Sequence, residues 1–274
     1  MPSSFEVTIR ARTGWQPVDF KEIFLYRELL AFLVWRDIKI RYRQTLLGGL
    51  WAVLQPLIAM FILTFIFNRL AGVSSDGPPY PLFAFAGLAP WTFFSTAVSQ
   101  SSNSLVSNQA LISKVYFPRV FIPLGAIGAL LLDLALSLGL LFLLMLYYRW
   151  PVSVKLLWLP VFILAAVLAT SGSGLILSAF NVSFRDVKYA VPFLIQMGIF
   201  VTPVIYPIRY IPGHWRILMG LNPMTGVVLG FRYSLLGSAS PWPIMGLSLA
   251  MSLAIFVAGL LIFRRMERRF ADII

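Results

Sequence analysis

Cysteine is absent from this 274-residue chain, and histidine occurs once, at position 214. The first absence excludes disulfides, thiolate nucleophiles and cysteine-based metal sites. The second leaves no imidazole cluster to hold a transition metal. Charge is sparse too: 12% of the residues are Asp, Glu, Lys or Arg, and only 10 are acidic, where a soluble domain carries about 25% charged residues. The dipeptide Gly-Lys never occurs, so there is no Walker A phosphate loop. GxGxxG, HExxH and a pair of catalytic carboxylates are missing as well. Nothing here hydrolyses a nucleotide or builds an acid–base centre.

What is present is apolar: 59% hydrophobic residues and a mean hydropathy of +0.85. One water-soluble core cannot hide that much apolar side chain, so the chain is read as an all-α integral membrane protein. A helix needs about 20 apolar residues to cross a bilayer core of about 30 Å. Six stretches qualify: Leu46–Phe67, Leu82–Ser102, Val120–Tyr148, Leu156–Phe180, Tyr189–Tyr206 and Ile244–Phe263. The second is the weakest, because the serines of "STAVSQSSNS" (Ser95–Ser104) are polar for lipid. Three regions follow: an N-terminal segment 1–44, a transmembrane domain 45–264 and a basic tail 265–274. Residues 1–18 lack an apolar core and do not read as a signal peptide.

The net charge of +12 would suggest nucleic acid on a soluble surface; in a chain this apolar it reports orientation instead. Of the 22 Lys and Arg, eight precede the first span, two lie between spans two and three, two between four and five, and four follow the last. The opposite side has only Arg69, Arg149, Lys155, Arg209, Arg216 and Arg232. Both termini are therefore expected in the cytoplasm. "DFKEIFLYRELLAFLVW" (Asp19–Trp35) reads as an amphipathic helix in the cytoplasmic interface, with Asp19 and Glu22 as its capping box. Between Pro207 and Pro243 the proline-punctuated connection is too apolar for a solvated loop, and two short re-entrant helices fit it. Asp133 is the one acidic residue well inside a span, and it should pair, with Arg69 or Arg232 as candidates.

Four motifs, in order along the chain, resemble those of the type-2 ABC exporter permeases: "RDIKIRYRQTLLGGLWAVLQP", "LISKVYFPR", "FRDVKY" and "VTPVIYPI" with the later "IP" and "LNP". Within that family they are most similar to the O-antigen and polysaccharide export permeases. The resemblance implies six spans, an N-terminal interface helix and re-entrant helices between the last two spans. It implies a homodimer in the cytoplasmic (inner) membrane, joined by two copies of a separate ABC ATPase subunit. No cofactor belongs to this chain; ATP and Mg would be held by the partner. The cargo implied is a long glycan on undecaprenyl diphosphate, with membrane lipid as the other partner and no nucleic acid.

In such permeases the cytoplasmic connections act as coupling helices, which assigns Lys114, Phe184, Arg185 and Asp186 to contact with the ATPase. A glycan cargo also gives "GLAPWTFFSTAVSQSSNS" a use. Trp91, Phe93 and Phe94 offer apolar faces to sugar C–H groups, and Ser95, Thr96, Ser99, Gln100 and Ser102 offer hydrogen bonds that can be exchanged. The alternatives are a teichoic acid, a capsule or a lipophilic drug carried by the same fold, and a proton-coupled transporter working through Asp133.

Overall fold

The computed structural model describes residues 26–43, 50–75, 77–114, 117–184, 186–239, 241–267 and 270. Among them every regular element is helical. Helix α1 is Arg27–Tyr42 and α2 is Leu50–Leu63, prolonged by π-helical turns over Thr64–Leu70. α3 is Tyr80–Ser107, α4 the short Gln109–Lys114 and α5 Phe121–Tyr147. A 3-10 turn (Val154–Trp158) leads into α6, Leu159–Ser183; α7 is Val187–Val201. After a second 3-10 turn at Ile208–Tyr210 come α8 (Gly213–Met219), α9 (Pro223–Leu236) and α10 (Trp242–Glu267).

Five stretches are long and apolar enough to cross a membrane: Val53–Leu70, Tyr80–Ser107, Phe121–Tyr147, Val154–Ser183 and Trp242–Glu267. The fifth expected span falls short. α7 has 15 residues, about 22 Å of helix, and stops where Thr202 turns extended at φ −94° and ψ 138°. Thr202 precedes Pro203, and the proline ring pushes its neighbour out of the helical region. The chain nevertheless travels the length of the bundle here. It leaves α6 at the end where Val182 packs with Leu105 and Phe263. By Ile205 it has reached the start of α3, where the Tyr80 hydroxyl donates to the Ile205 carbonyl at 2.8 Å.

α3 is the centre of the bundle, contrary to its weak showing in the sequence. In its apolar window 72% of residues are buried, against 11% for Val53–Leu70 and 22% for α10. Three of the serines do not oppose this, because their hydroxyls are satisfied within the helix; the buried Ser101 hydroxyl has no hydrogen-bond partner. Ser95 donates to the Thr92 carbonyl at 3.1 Å, Ser102 to Ser99 at 2.8 Å and Ser104 to Ser101 at 2.7 Å. A serine bonded back to its own helix presents a small, nearly apolar surface. α6 comes close at this stripe of small residues: a Cβ at Gly174 would lie 2.5 Å from the Ser101 Oγ. The Asn181 amide then donates to the Ser102 carbonyl at 2.8 Å and to Asn103 Oδ1 at 3.1 Å.

α6 also carries α10, at a crossing without side chains. A Cβ on Gly172 would stand 2.4 Å from the Ile255 carbonyl oxygen, and one on Gly259 2.5 Å from the Gly172 oxygen. Backbones meet there directly, which is how helices associate when lipid supplies no hydrophobic drive. α9 is sunk between α3, α6 and α10, with twelve of its residues buried, from Met224 to Leu236. Asn222 caps its start, accepting from the Met224 N–H at 3.0 Å, with Pro223 in the first turn. Its end turns out through Gly237 at φ 69°, the left-handed position that suits glycine. There Trp150 Nε1 donates to the Leu236 carbonyl at 3.2 Å, and Lys155 Nζ to the Gly237 carbonyl at 2.8 Å.

The glycine crossing is directly testable. Gly172→Ala should lower stability by about 1–3 kcal/mol, because the obstructing atoms are backbone and cannot rotate away. Gly139→Ala, where nothing lies within 4 Å, should be neutral or slightly stabilising. Thermal unfolding of the two variants in detergent checks the difference.

Candidate functional site

Asp133 finds its partners on α1. Arg41 Nη2 lies 2.7 Å from Asp133 Oδ2, and the Tyr42 hydroxyl donates to Oδ1. The sequence had offered Arg69 or Arg232, and the structure corrects both. Arg69 sits in the π-helical turns at the far end of α2, and Arg232 is held elsewhere. The reason is the path of α1, which runs lengthwise along α5 in the same direction. Leu33 Cβ abuts Gly125 at 3.1 Å from where a Cβ would sit, and Val34 fills the notch at Gly128. Leu33 to Gly125 and Arg41 to Asp133 share one offset, 92 residues, as two helices of equal rise in parallel register require.

α1 also differs from the expected interface helix. It begins at Arg27 and continues through the basic stretch to Tyr42, whereas the proposed capping box at Asp19 and Glu22 lies outside the described residues. The basic residues Arg36, Lys39 and Arg41 are thus part of a helix. Burial, then the bond to Asp133 and its charge, push the Tyr42 phenol up to about 12. The phenol remains a protonated donor at any physiological pH.

Around this ion pair α1, α2, α3 and α5 leave a cleft of about 210 Å³. Trp51, Gln55 and Pro56 come from α2; Ala89, Thr92, Phe93 and Thr96 from α3; Leu130, Asp133, Leu134 and Ser137 from α5. The lining combines a guanidinium, a carboxylate, an amide, three aliphatic hydroxyls and three aromatic rings, one of them the Tyr42 phenol. Such a set can hydrogen-bond many hydroxyl groups while offering flat apolar faces.

The glycan-pathway residues expected on α3 divide between two faces. Phe93 and Thr96 line the cleft. Trp91 points elsewhere, its ring 2.8 Å from where a Cβ on Gly198 of α7 would be, and it lies tilted against Phe94 at 5.7 Å between centroids. Trp91 and Phe93 are both buried; Phe94, Ser95 and Ser99 are half-buried, and Gln100 is exposed. Residues one apart on a helix do not share a face, so the motif reads as one aromatic run only in sequence.

Arg232, expected as an outer-side cation and as a candidate partner of Asp133, is instead a structural group. It is 2% exposed, within α9. Its Nε donates to the Phe83 carbonyl at 3.2 Å, Nη1 to the Pro203 carbonyl at 2.6 Å and Nη2 to the Val204 carbonyl. The guanidinium also lies 3.5 Å from the centre of the Phe83 ring, a cation–π contact. A Cβ at Gly87 would collide with it at 2.7 Å, so Gly87 leaves the room. One signal for this was available: an arginine in the midst of "GVVLGFRYSLLG" must be paired if that helix is buried.

Three of the four coupling residues lie at the opposite end of the bundle. Lys114 is exposed at the end of α4, whose Ile112 is buried. Phe184 is 59% exposed, with its ring 6.3 Å from that of Phe180. Asp186 is exposed at the entry to α7, and Arg185 lies outside the described residues. Lys114, Phe184 and Asp186 thus belong to the same end of the helices that holds the tail of α10.

The model of the ABC-2 type transporter family matches residues 28–236. Along 92% of this chain and 97% of the relative, the sequence is 33% identical to the O-antigen export system permease protein RfbA of Myxococcus xanthus. A Klebsiella pneumoniae protein of the same name is 29% identical over 90% of this chain and 95% of its own. The polysialic acid transport protein KpsM of Escherichia coli is 25% identical over 80% and 82%.

Three substitutions separate the two charged groups. Asp133→Ala removes the anchor of α1 at a partly exposed ion pair and should cost about 1–2 kcal/mol. Asp133→Asn, which still accepts from Tyr42, should cost less. Arg232→Met keeps the volume but strands buried carbonyls, and should cost about 3 kcal/mol or more. Melting temperatures of the purified variants rank the three, with Arg232→Met lowest.

Proposed function

We propose, from the premise that this chain belongs to the ABC-2 type transporter family, that it is the membrane subunit of an exporter of lipid-linked polysaccharide. The observation that carries this reading is the range of the relatives. Proteins named for O-antigen export and for polysialic acid transport both align along at least 80% of the chain. A polysaccharide, not one particular repeat unit, is what their names have in common. Two copies of the chain pair in the cytoplasmic membrane, and α7 with the segment after it makes the sixth crossing. α8 and α9 are the re-entrant pair, entering from the outer side, and both termini face the cytoplasm.

Energy comes from two copies of a separate ATPase subunit, which bind ATP and Mg. They dock on the exposed face of α4 and on the exposed Phe184 and Asp186, where Lys114 and Asp186 set orientation and Phe184 fills a groove. Charges at such a contact steer and register the partner, and the apolar residues supply area. The cargo is an undecaprenyl-diphosphate glycan, and the cleft face of α3, with Thr92, Phe93 and Thr96, forms part of its route. Weak, exchangeable contacts suit a route that must also release its passenger. Asp133 holds α1 in place through Arg41 and Tyr42, a use of the carboxylate that calls for no proton transfer.

Cells lacking this chain should retain the lipid-linked glycan inside and lose it from the surface, and the wild-type chain should restore it. Lys114→Glu and Phe184→Ala should restore several-fold less, and both should bring down less ATPase subunit on purification. His214→Ala, exposed at the other end, should restore fully. Undiminished surface glycan in cells without the chain overturns the reading.

A further inference from the structure

α4 is rooted in the bundle, and its root leads to α10. Ile112 of α4, then Phe117, Val120 and Phe121 on the way into α5, are all buried in one apolar cluster. Val182 of α6, Phe263 of α10 and Phe270 belong to the same cluster, the last two rings meeting edge to face at 5.5 Å. Beside it, Arg119 and Glu267 are joined by two bonds, both donated by Arg119, one from its main chain and one from its side chain. The Arg119 backbone N–H donates to Glu267 Oε1 at 3.1 Å, and Arg119 Nη1 donates to the Glu267 carbonyl at 2.7 Å. Each residue thus engages the main chain of the other, and neither backbone can slide without breaking a bond.

The position of this clasp matters because of what α10 does elsewhere. Among the described residues α10 packs along α6 and α9 and shares no comparable face with α5. Its crossing with α6 is backbone on backbone at Gly172 and Gly259, so the two helices move as one body. A close-packed interior passes displacement on with little compression. The clasp therefore joins the segment between α4 and α5 to the α6–α10 pair.

We infer that Arg119 and Glu267 are positioning residues for energy coupling, carrying displacement of α4 into α10 and α6 without touching the ATPase subunit. The inference rests on the reading that α4 receives that subunit. It differs from a docking role in what each variant spares. Arg119→Ala keeps its backbone N–H, so the subunit should insert, bind the ATPase and sustain hydrolysis. Glycan exported per ATP should fall about fivefold or more. Glu267→Ala keeps its carbonyl but loses the other bond, so it should lower coupling in its own right, and the double variant, which loses both bonds, should couple least. Glu267→Gln should stay near wild type, because its amide oxygen still accepts from the Arg119 N–H.

The experiment is purification of the complex of each variant with its ATPase, followed by parallel measurement of ATP hydrolysis and glycan transport in proteoliposomes. Unchanged export per ATP in Arg119→Ala overturns the inference, and so does loss of the ATPase subunit from that variant. Should Arg119→Ala fail to insert, Glu267→Ala set against Glu267→Gln decides: equal coupling in those two overturns it. Lys114→Glu is the separate arm for the docking surface. If the wild-type chain brings down no ATPase subunit, the underlying reading fails; if it does and Arg119→Ala couples normally, only the clasp fails.

Discussion

A backbone carbonyl away from water must find a donor, and Arg232 supplies donors where the helices of this protein cannot. α7 is broken by Pro203, and the irregular chain that follows exposes the Pro203 and Val204 carbonyls inside the bundle. Lone buried acceptors cost on the order of 1–3 kcal/mol each. One forked guanidinium answers both and reaches back to Phe83 at the start of α3. Asn222 adds a second tie, its amide donating to Thr202 Oγ1 at 2.8 Å. The broken segment, the buried helix α9 and the start of α3 form one unit because of these bonds.

Elsewhere the fold relies on absence of side chain. The α6–α10 crossing, the approach of α6 to Ser101 and the seat of α1 at Gly125 and Gly128 all use positions where a Cβ would collide. Close approach of backbones replaces the hydrophobic drive that lipid cancels. The outcome is a rigid inner body of α3, α6, α9 and α10, against which α1 and α2 are more lightly attached. α2 leaves Phe61, Ile62, Phe65 and Leu70 exposed, surfaces suited to lipid or to a second copy of the chain.

The charges then sort by purpose. Arg41 and Tyr42 fasten α1 to Asp133 at the rim of a polar cleft. Arg119 and Glu267 fasten α10 to the root of α4. Lys114 and Asp186 remain exposed at the same end, where an ATPase subunit would meet them in the proposed function. Few charges are present, and those that reach into the bundle each join two helices distant in sequence.

The sequence by itself determined the class of the protein, five of its apolar spans, the asymmetry of its basic residues and the motifs shared with its family. Composition, helix length and the capping residues Asn222, Pro223 and Gly237 act locally, and local signals survive in a linear text. Tertiary structure alone decided that α3 is the most buried span, that Asp133 pairs with Arg41, that Trp91 and Phe93 part company and that Arg232 binds carbonyls. In a soluble helix a polar stripe tells which side faces water. Here lipid and protein interior are equally apolar, so hydrophobicity cannot say which face of a span is buried. Pairings across 92 or 148 residues depend on the register of one helix against another, and small residues set that register only once the backbones meet.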